Sequence, residues 1–175
     1  MKVLARRFNI YLALAVLVGL ACSCQIGRKT STTALRVHIE VSPDPNGTSS
    51  ENISVLRSNP VLVTIKREPI LSEANIVRAK VIDAMGGFAL EIKFDENGTW
   101  LLEQYSAANP GDHFVIFGQW GKKISDGRWL ANPIIGRRIS NGTLVFTPDC
   151  SSEEADRFVL GLNEIAKENH KKMLK

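Results

Sequence analysis

The sequence predicts one α+β domain, in which an antiparallel or mixed sheet has two helices packed on one face. Short β-type runs bounded by Gly, Pro and Asn fill most of the chain between residues 34 and 146. Two segments show the three- and four-residue spacing of amphipathic helices. Runs of strands interrupted by few helices are typical of the α+β class. A length of 175 residues suits one such domain with appendages.

The predicted strands follow from alternation and turn residues. At 34–42, apolar and polar residues alternate, so we expect one buried face and place His38 on the polar face. The Asn59-Pro60 break separates the next two strands. Ser72 caps a single helical turn. Two further strands are joined at Met85-Gly86-Gly87, because glycine tolerates the positive φ of a tight hairpin.

Both helices are bounded by recognisable signals. The first begins at a cap on Asp95 and ends at Asn109-Pro110-Gly111, and the second begins at a capping box of Ser151 and Glu154. The apolar face of the first contains Leu101, Leu102, Tyr105 and Ala108. That of the second contains Ala155, Phe158, Val159, Leu162, Ile165 and Ala166. Between the helices we predict a strand at 112–120 and a last strand after an Asn141-Gly142 turn.

Residues 1–21 predict an export signal. Lys2, Arg6 and Arg7 precede an unbroken apolar run of twelve residues at 10–21. As a helix this run spans about 18 Å, well short of the ~30 Å hydrocarbon core of a bilayer. This length is typical of a signal peptide. An uncleaved membrane anchor is the alternative.

Cys22 follows the apolar run directly. The Ala21-Cys22 pair resembles the lipobox of bacterial lipoproteins, in which the cysteine carries lipid, although Gly19 stands where that pattern has leucine. Cys24 is the alternative acceptor. Simple cleavage after Ala21 would instead leave a secreted soluble protein. Residues 22–33 are largely polar and predict a flexible tether before a domain at 34–170.

The net charge argues against a nucleic-acid partner. The full chain has a formal charge of +4, but without residues 1–21 it has 19 basic against 18 acidic residues, a charge of +1. Nucleic-acid binding requires a clustered positive excess on the folded domain. The basic tail at 171–175 is expected to be the solvated end of the last helix, where cations are favoured by the helix dipole. Binding to a nucleic acid or to an anionic surface through this tail is a third hypothesis.

The ionisable residues predict no catalytic, cofactor or metal site. His38, His113 and His170 lack the spacing of metal ligands. There is no G-x-S-x-G nucleophile elbow and no phosphate-binding loop. Asp112 and His113 are a candidate acid–base pair, but neighbours in a strand point to opposite faces. A small secreted hydrolase with an unrecognised site is the alternative to a non-catalytic protein.

The candidate partner contact is an aromatic and basic surface. Trp120 and Trp129 flank the loop that contains Lys122 and Lys123, and these four residues would form it. The alternative is that both indoles cover the end of the core, because tryptophan is usually largely buried.

From Glu68 to about Lys167 the order of elements resembles the head subdomain of the first periplasmic domain of SecD and SecDF, subunits of the bacterial protein-export motor. The resemblance is carried by "EPILSEANIVRAKV", "ALEIKFDENGTWLLEQYSAANPGDHFVIF" and "ANPIIGRRISNGTLVFTPDCSSEEADRFVLGL". The matching residues include Gly98, Gly111, Pro133, Ile139, Gly142, Glu154 and Ala155. It covers somewhat more than half of the chain.

The resemblance implies a role for the head alone. SecD has six membrane spans that couple its head to proton flow, and none is found here beyond the leader. What carries over is contact with polypeptide on the far side of the membrane. We therefore expect a non-catalytic periplasmic binding or structural module, held at the membrane by lipid, with a polypeptide or an envelope protein as partner.

Overall fold

A computed structural model describes residues 33–123 and 126–173 of the chain. The predicted leader and lipid-acceptor cysteines, Cys22 and Cys24, lie outside the described residues, as do Ile124 and Ser125. All the described residues belong to one unit, spanning 31–175. None of their helices has the length and apolar character needed to cross a bilayer.

The described residues form nine strands, two α-helices and one 3-10 helix, which confirms the α+β prediction. The strands are β1 (Thr33–Ile39), β2 (Ser50–Val55), β3 (Val61–Lys66), β4 (Leu71–Ser72), β5 (Ile76–Ala84), β6 (Gly87–Phe94), β7 (Phe114–Trp120), β8 (Gly127–Ala131) and β9 (Thr143–Phe146). The helices are α1 (Glu96–Ala108) and α2 (Ser152–Met173), and the 3-10 helix is Glu73–Asn75. Ser72 caps the 3-10 helix, as predicted.

The strands divide among three sheets where one was expected. The largest has the order β4-β1-β7-β8, the second is the hairpin β2-β3, and the third has the order β5-β6-β9. Every pairing of these strands is antiparallel. The core nevertheless draws buried side chains from both larger sheets and both helices, so the two layers share one interior.

The expectation that His38 lies on a polar face is wrong. Its side chain is buried, with 7% of the residue exposed, because the β2-β3 hairpin covers that face of β1. The His38 Nδ1 lies 2.8 Å from the carbonyl oxygen of Lys66, and its ring meets Trp129 edge-on with centroids 5.3 Å apart. The hairpin and β7 enclose a second apolar cluster, to which the hairpin contributes Ile53, Val55, Val63 and Ile65 and β7 contributes Val115.

Helix α2 begins as predicted, and most of its predicted apolar face is buried. Glu154 N–H donates to Ser151 Oγ at 3.2 Å, and Ser151 N–H donates to Glu154 Oε2 at 2.9 Å, which completes the capping box. The buried members of this face are Ala155, Phe158, Leu162 and Ala166. The helix continues to Met173, so the beginning of the basic tail is helical.

Helix α1 buries a face that coincides in part with the predicted one: Leu102 is buried, and Leu101 and Tyr105 are half-buried against the core. The buried face consists of Gly98, Leu102 and Ser106, whereas Ala108 is exposed. Ser106 is accommodated because its hydroxyl is satisfied twice: it donates to the Glu103 carbonyl at 3.1 Å and accepts from the Ile139 N–H at 2.8 Å. The second bond ties α1 to the segment that follows β8.

Both predicted glycine turns are present. Met85 and Gly86 connect β5 to β6, and Gly86 has a φ of 84°. Gly142, with a φ of 63°, precedes β9. These φ values lie in the left-handed region that favours glycine. The second turn determines where β9 begins.

We predict that protonation of His38 weakens the fold. Burial lowers the pKa of His38 from its usual 6.5, partly opposed by the hydrogen bond to Lys66. Below that usual value the unfolded chain therefore binds more protons than the folded protein, and the free energy of unfolding falls as pH falls. Urea unfolding at about pH 7.5 and about pH 5.5 measures this loss, since these values bracket the ordinary titration range of histidine. His38→Gln, which keeps a donor for the carbonyl, should lose less stability than the wild type between the two.

His170→Gln is the matched control, because His170 is exposed on α2. It should follow the wild type across the same pH change. A wild-type loss no larger than that of His38→Gln would show that the buried imidazole does not contribute.

Candidate functional site

A groove of about 830 Å³ lies between β9 and the extended segment 133–140. We call it the β9 groove. Two large apolar side chains in its lining, Ile134 and Val145, are 65% and 47% exposed. Exposed apolar side chains gathered at a concave surface are typical of an interaction site.

Strand β9 is at the edge of its sheet, and its register shows which backbone groups face outward. Phe94 N–H donates to the Gly142 carbonyl at 3.0 Å, which makes these residues a hydrogen-bonded pair. Such pairs alternate with non-bonded pairs along an antiparallel ladder. Thr143 and Val145 therefore direct their N–H and C=O groups away from β6. The residues whose backbone faces β6 are Leu144 and Phe146.

One of the outward groups is already satisfied within the chain. Thr143 N–H donates to the side-chain Oδ1 of Asn141 at 3.1 Å. The other outward groups are the carbonyl of Thr143 and both the N–H and the carbonyl of Val145. Among residues 33–123 and 126–173, these three groups have no hydrogen-bond partner. They lie beside the β9 groove.

The opposite edge of the same sheet is covered. Strand β5 packs against α2, and the Asn163 amide on that helix bonds both backbone groups of Ala79. Its Oδ1 accepts from the Ala79 N–H at 2.9 Å, and its Nδ2 donates to the Ala79 carbonyl at 2.9 Å. The amide thus takes the place of a neighbouring strand. The β5 edge is thus covered by α2 at Ala79, and β9 forms the other edge of the sheet.

The charged lining of the β9 groove has a positive excess. Arg138 is ion-paired with Glu103, and Glu91 is ion-paired with Lys80 at 3.0 Å. Arg137 is exposed and forms no ion pair with any other described residue. An uncompensated guanidinium next to apolar side chains favours an acidic group on whatever binds there.

Trp120, one of the four residues of the predicted partner contact, does not lie on the surface. This indole is buried, with 8% of the residue exposed, because α2 covers it: its ring meets Phe158 edge-on at 6.3 Å. The guanidinium of Arg128 also lies over the Trp120 ring, with its Cζ 4.8 Å from the ring centroid. Trp129 is half-buried over the second cluster. Trp120 therefore covers the end of the core, as the alternative stated.

The exposed tryptophan is one that the sequence analysis did not select. Trp100 on α1 is 59% exposed and lies beside Val77, which is 56% exposed. The sequence does indicate this exposure, because Trp100 lies off the apolar face of the predicted helix. Lys122 and Lys123 are exposed, at the start of their loop.

The histidines have different partners from those considered in the sequence. His113 Nδ1 lies 2.5 Å from Glu40 Oε2, so the carboxylate beside it belongs to Glu40 and not to Asp112. In the described part of the chain, no histidine is hydrogen-bonded to a serine, threonine or cysteine side chain. Burial raises the pKa of the Cys150 thiol to about 11, which keeps it protonated at neutral pH. No metal-binding cluster occurs among the described residues.

No protein-family model matches the chain, and no curated protein matches it. Solved structures of SecDF do match it, and two of them have TM-scores above 0.5. One is SecDF, a membrane component that enhances protein export, with a TM-score of 0.52 and 18% identity over 76% of this chain and 63% of that one. The other is SecDF in a super-membrane-facing form, with a TM-score of 0.53 and 17% identity over 76% of this chain and 19% of that one. This chain spans less than two thirds of the length of either. The described domain thus has a SecDF-like fold, as the resemblance in its sequence predicted.

Proposed function

We propose that this chain is a non-catalytic extracytoplasmic module that binds extended polypeptide in the β9 groove. The observation that carries the proposal is the groove itself, in which exposed apolar side chains lie beside unpaired backbone groups of an edge strand. A folded partner exposes few apolar side chains and few unpaired backbone groups, whereas an unfolded or exported segment exposes both kinds of group. The SecDF structure with the same fold belongs to a protein that enhances protein export, which favours this class of partner.

The chemistry of the groove suits a polypeptide better than a small polar ligand. Ile134 and Val145 offer apolar contacts at two points along an open surface. Arg137 adds a single cation, which orients a segment without requiring a particular sequence. A site of this kind binds many segments with modest affinity, because few of its contacts depend on side-chain identity.

We further propose that the module works on the periplasmic side of the membrane. Residues 1–21 would be removed as a signal peptide, lipid on Cys22 (or on Cys24) would anchor the protein, and residues 22–33 would be the tether. The partner would be an exported polypeptide or an envelope protein. The low charge of the chain after residue 21 gives no support to a nucleic-acid partner.

We predict that Ile134→Asp weakens polypeptide binding by roughly tenfold or more. Burying an isoleucine side chain contributes about 1.5–3 kcal/mol, and about 1.4 kcal/mol corresponds to a factor of ten in Kd. Fluorescence anisotropy of a labelled, permanently unfolded polypeptide titrated with the purified protein measures the change.

Leu160→Asp is the matched control. Leu160 is on α2, outside the groove lining, and its exposure of 65% equals that of Ile134. Its substitution should leave Kd unchanged. Equal weakening by both variants would mean that the polypeptide adheres to apolar surface in general, which contradicts the proposal.

For the anchor, we expect a palmitate analogue to label the wild type in growing cells and to fail to label Cys22→Ser, because that substitution removes the acceptor sulfur. Label retained by Cys22→Ser and lost in Cys24→Ser would move the anchor to Cys24. Wild-type protein without label would refute lipid anchoring and leave the groove proposal in place.

A further inference from the structure

We infer that the bound segment joins the three-stranded sheet as a fourth strand, hydrogen-bonded through its main chain to Val145 and Thr143 of β9. The inference rests on the proposed function and adds the mode of binding and the atoms responsible. The occupant is an extended polypeptide segment with apolar side chains at alternate positions and an acidic side chain within reach of Arg137.

The geometry of Val145 points to strand addition. Its N–H and its carbonyl both face away from β6, so a single residue of an incoming strand satisfies both. The outward carbonyl of Thr143 accepts one more bond from that strand. The Thr143 N–H is already held by Asn141, which ends the available edge at that side. The edge therefore offers three main-chain bonds.

The contact of α2 with β5 at Ala79 favours β9 as the edge to which an incoming strand is added. An open edge is a template for pairing with other chains, and proteins usually protect it. Here the Asn163 amide on α2 satisfies the outward groups of Ala79 in β5, whereas three of the four outward groups of Thr143 and Val145 in β9 have no partner among the described residues. The two edges of this sheet thus differ in their contact with α2, and the β9 edge borders the groove.

The side chains around the edge define what the added strand carries. The side chain of Val145 lies on the exposed face of the sheet, next to Ile134 in the groove lining. A β-branched or aromatic residue opposite Val145 adds favourable cross-strand packing. The unpaired guanidinium of Arg137 adds attraction for a carboxylate. Main-chain bonds supply affinity that does not depend on sequence, which suits a partner that varies.

The first test uses a labelled peptide of about eight residues, a typical strand length, with alternating valine and serine and one central glutamate. Its Kd for the full chain is compared with those of two versions in which backbone nitrogens of one parity or the other are methylated. Methylation of the parity that faces β9 should weaken binding at least tenfold, because it removes donors to the Thr143 and Val145 carbonyls. Methylation of the other parity should change Kd less than threefold, since those nitrogens face solvent.

The outcomes of this test are distinct. If the unmethylated peptide and the unfolded polypeptide both fail to bind, the proposed function is wrong and the inference fails with it. If the peptide binds and the two methylated versions bind equally, strand addition is wrong while the proposed function stands.

The second test changes the protein. Val145→Pro removes the outward N–H without removing a bond to β6, because Val145 is at a non-hydrogen-bonded position of the ladder. Proline is tolerated where the N–H of an edge strand faces solvent. The variant should bind the peptide roughly tenfold less tightly than Val145→Ala, which loses the same apolar contact and keeps the N–H.

Circular dichroism and the urea midpoint establish that both variants fold. Equal affinities of folded Val145→Pro and Val145→Ala would overturn strand addition. If Val145→Pro does not fold, the comparison of methylated peptides decides the matter.

Discussion

The packing of α2 against two sheets is the constraint on which the rest of the structure depends. Phe158 on this helix meets Trp120 at the end of β7, and Asn163 holds the backbone of Ala79 in β5. The helix thereby fixes the four-stranded and three-stranded sheets relative to each other. The walls of the β9 groove come from both layers: β9 from one, and the segment after β8 from the other. Within that frame, α1 holds the segment after β8, because the Ser106 hydroxyl accepts a hydrogen bond from the Ile139 N–H at 2.8 Å.

A protein can retain an exposed strand edge when unwanted pairing with other chains is limited. Edges promote unwanted pairing, and short strands limit this risk because few main-chain bonds are available. β9 has four residues, and its outward N–H at Thr143 is occupied by Asn141. The remaining groups are too few to bind tightly on their own. Binding therefore needs the additional contacts of Ile134 and Arg137, which makes the site reversible and tolerant of sequence.

Local signals in the sequence predicted much of the fold and little of the site. Helix caps act over only a few residues, as at Ser72 and Ser151, and so do glycines at positive φ. Their effects can therefore be predicted from the sequence. His38 and Trp120 were misplaced because the layers that bury them, the β2-β3 hairpin and α2, are far away in the chain. The groove was missed because the edge position of β9 is a property of strand order, which no local pattern encodes.

Amide hydrogen exchange at Val145 tests the central claim most directly. The amide exchanges when it is open to water, and a main-chain bond to a bound strand would slow it. With saturating peptide, we expect slower exchange at Val145 and little change at Thr143, whose N–H is already bonded to Asn141. Unchanged exchange at Val145 in the fully occupied complex would contradict the account.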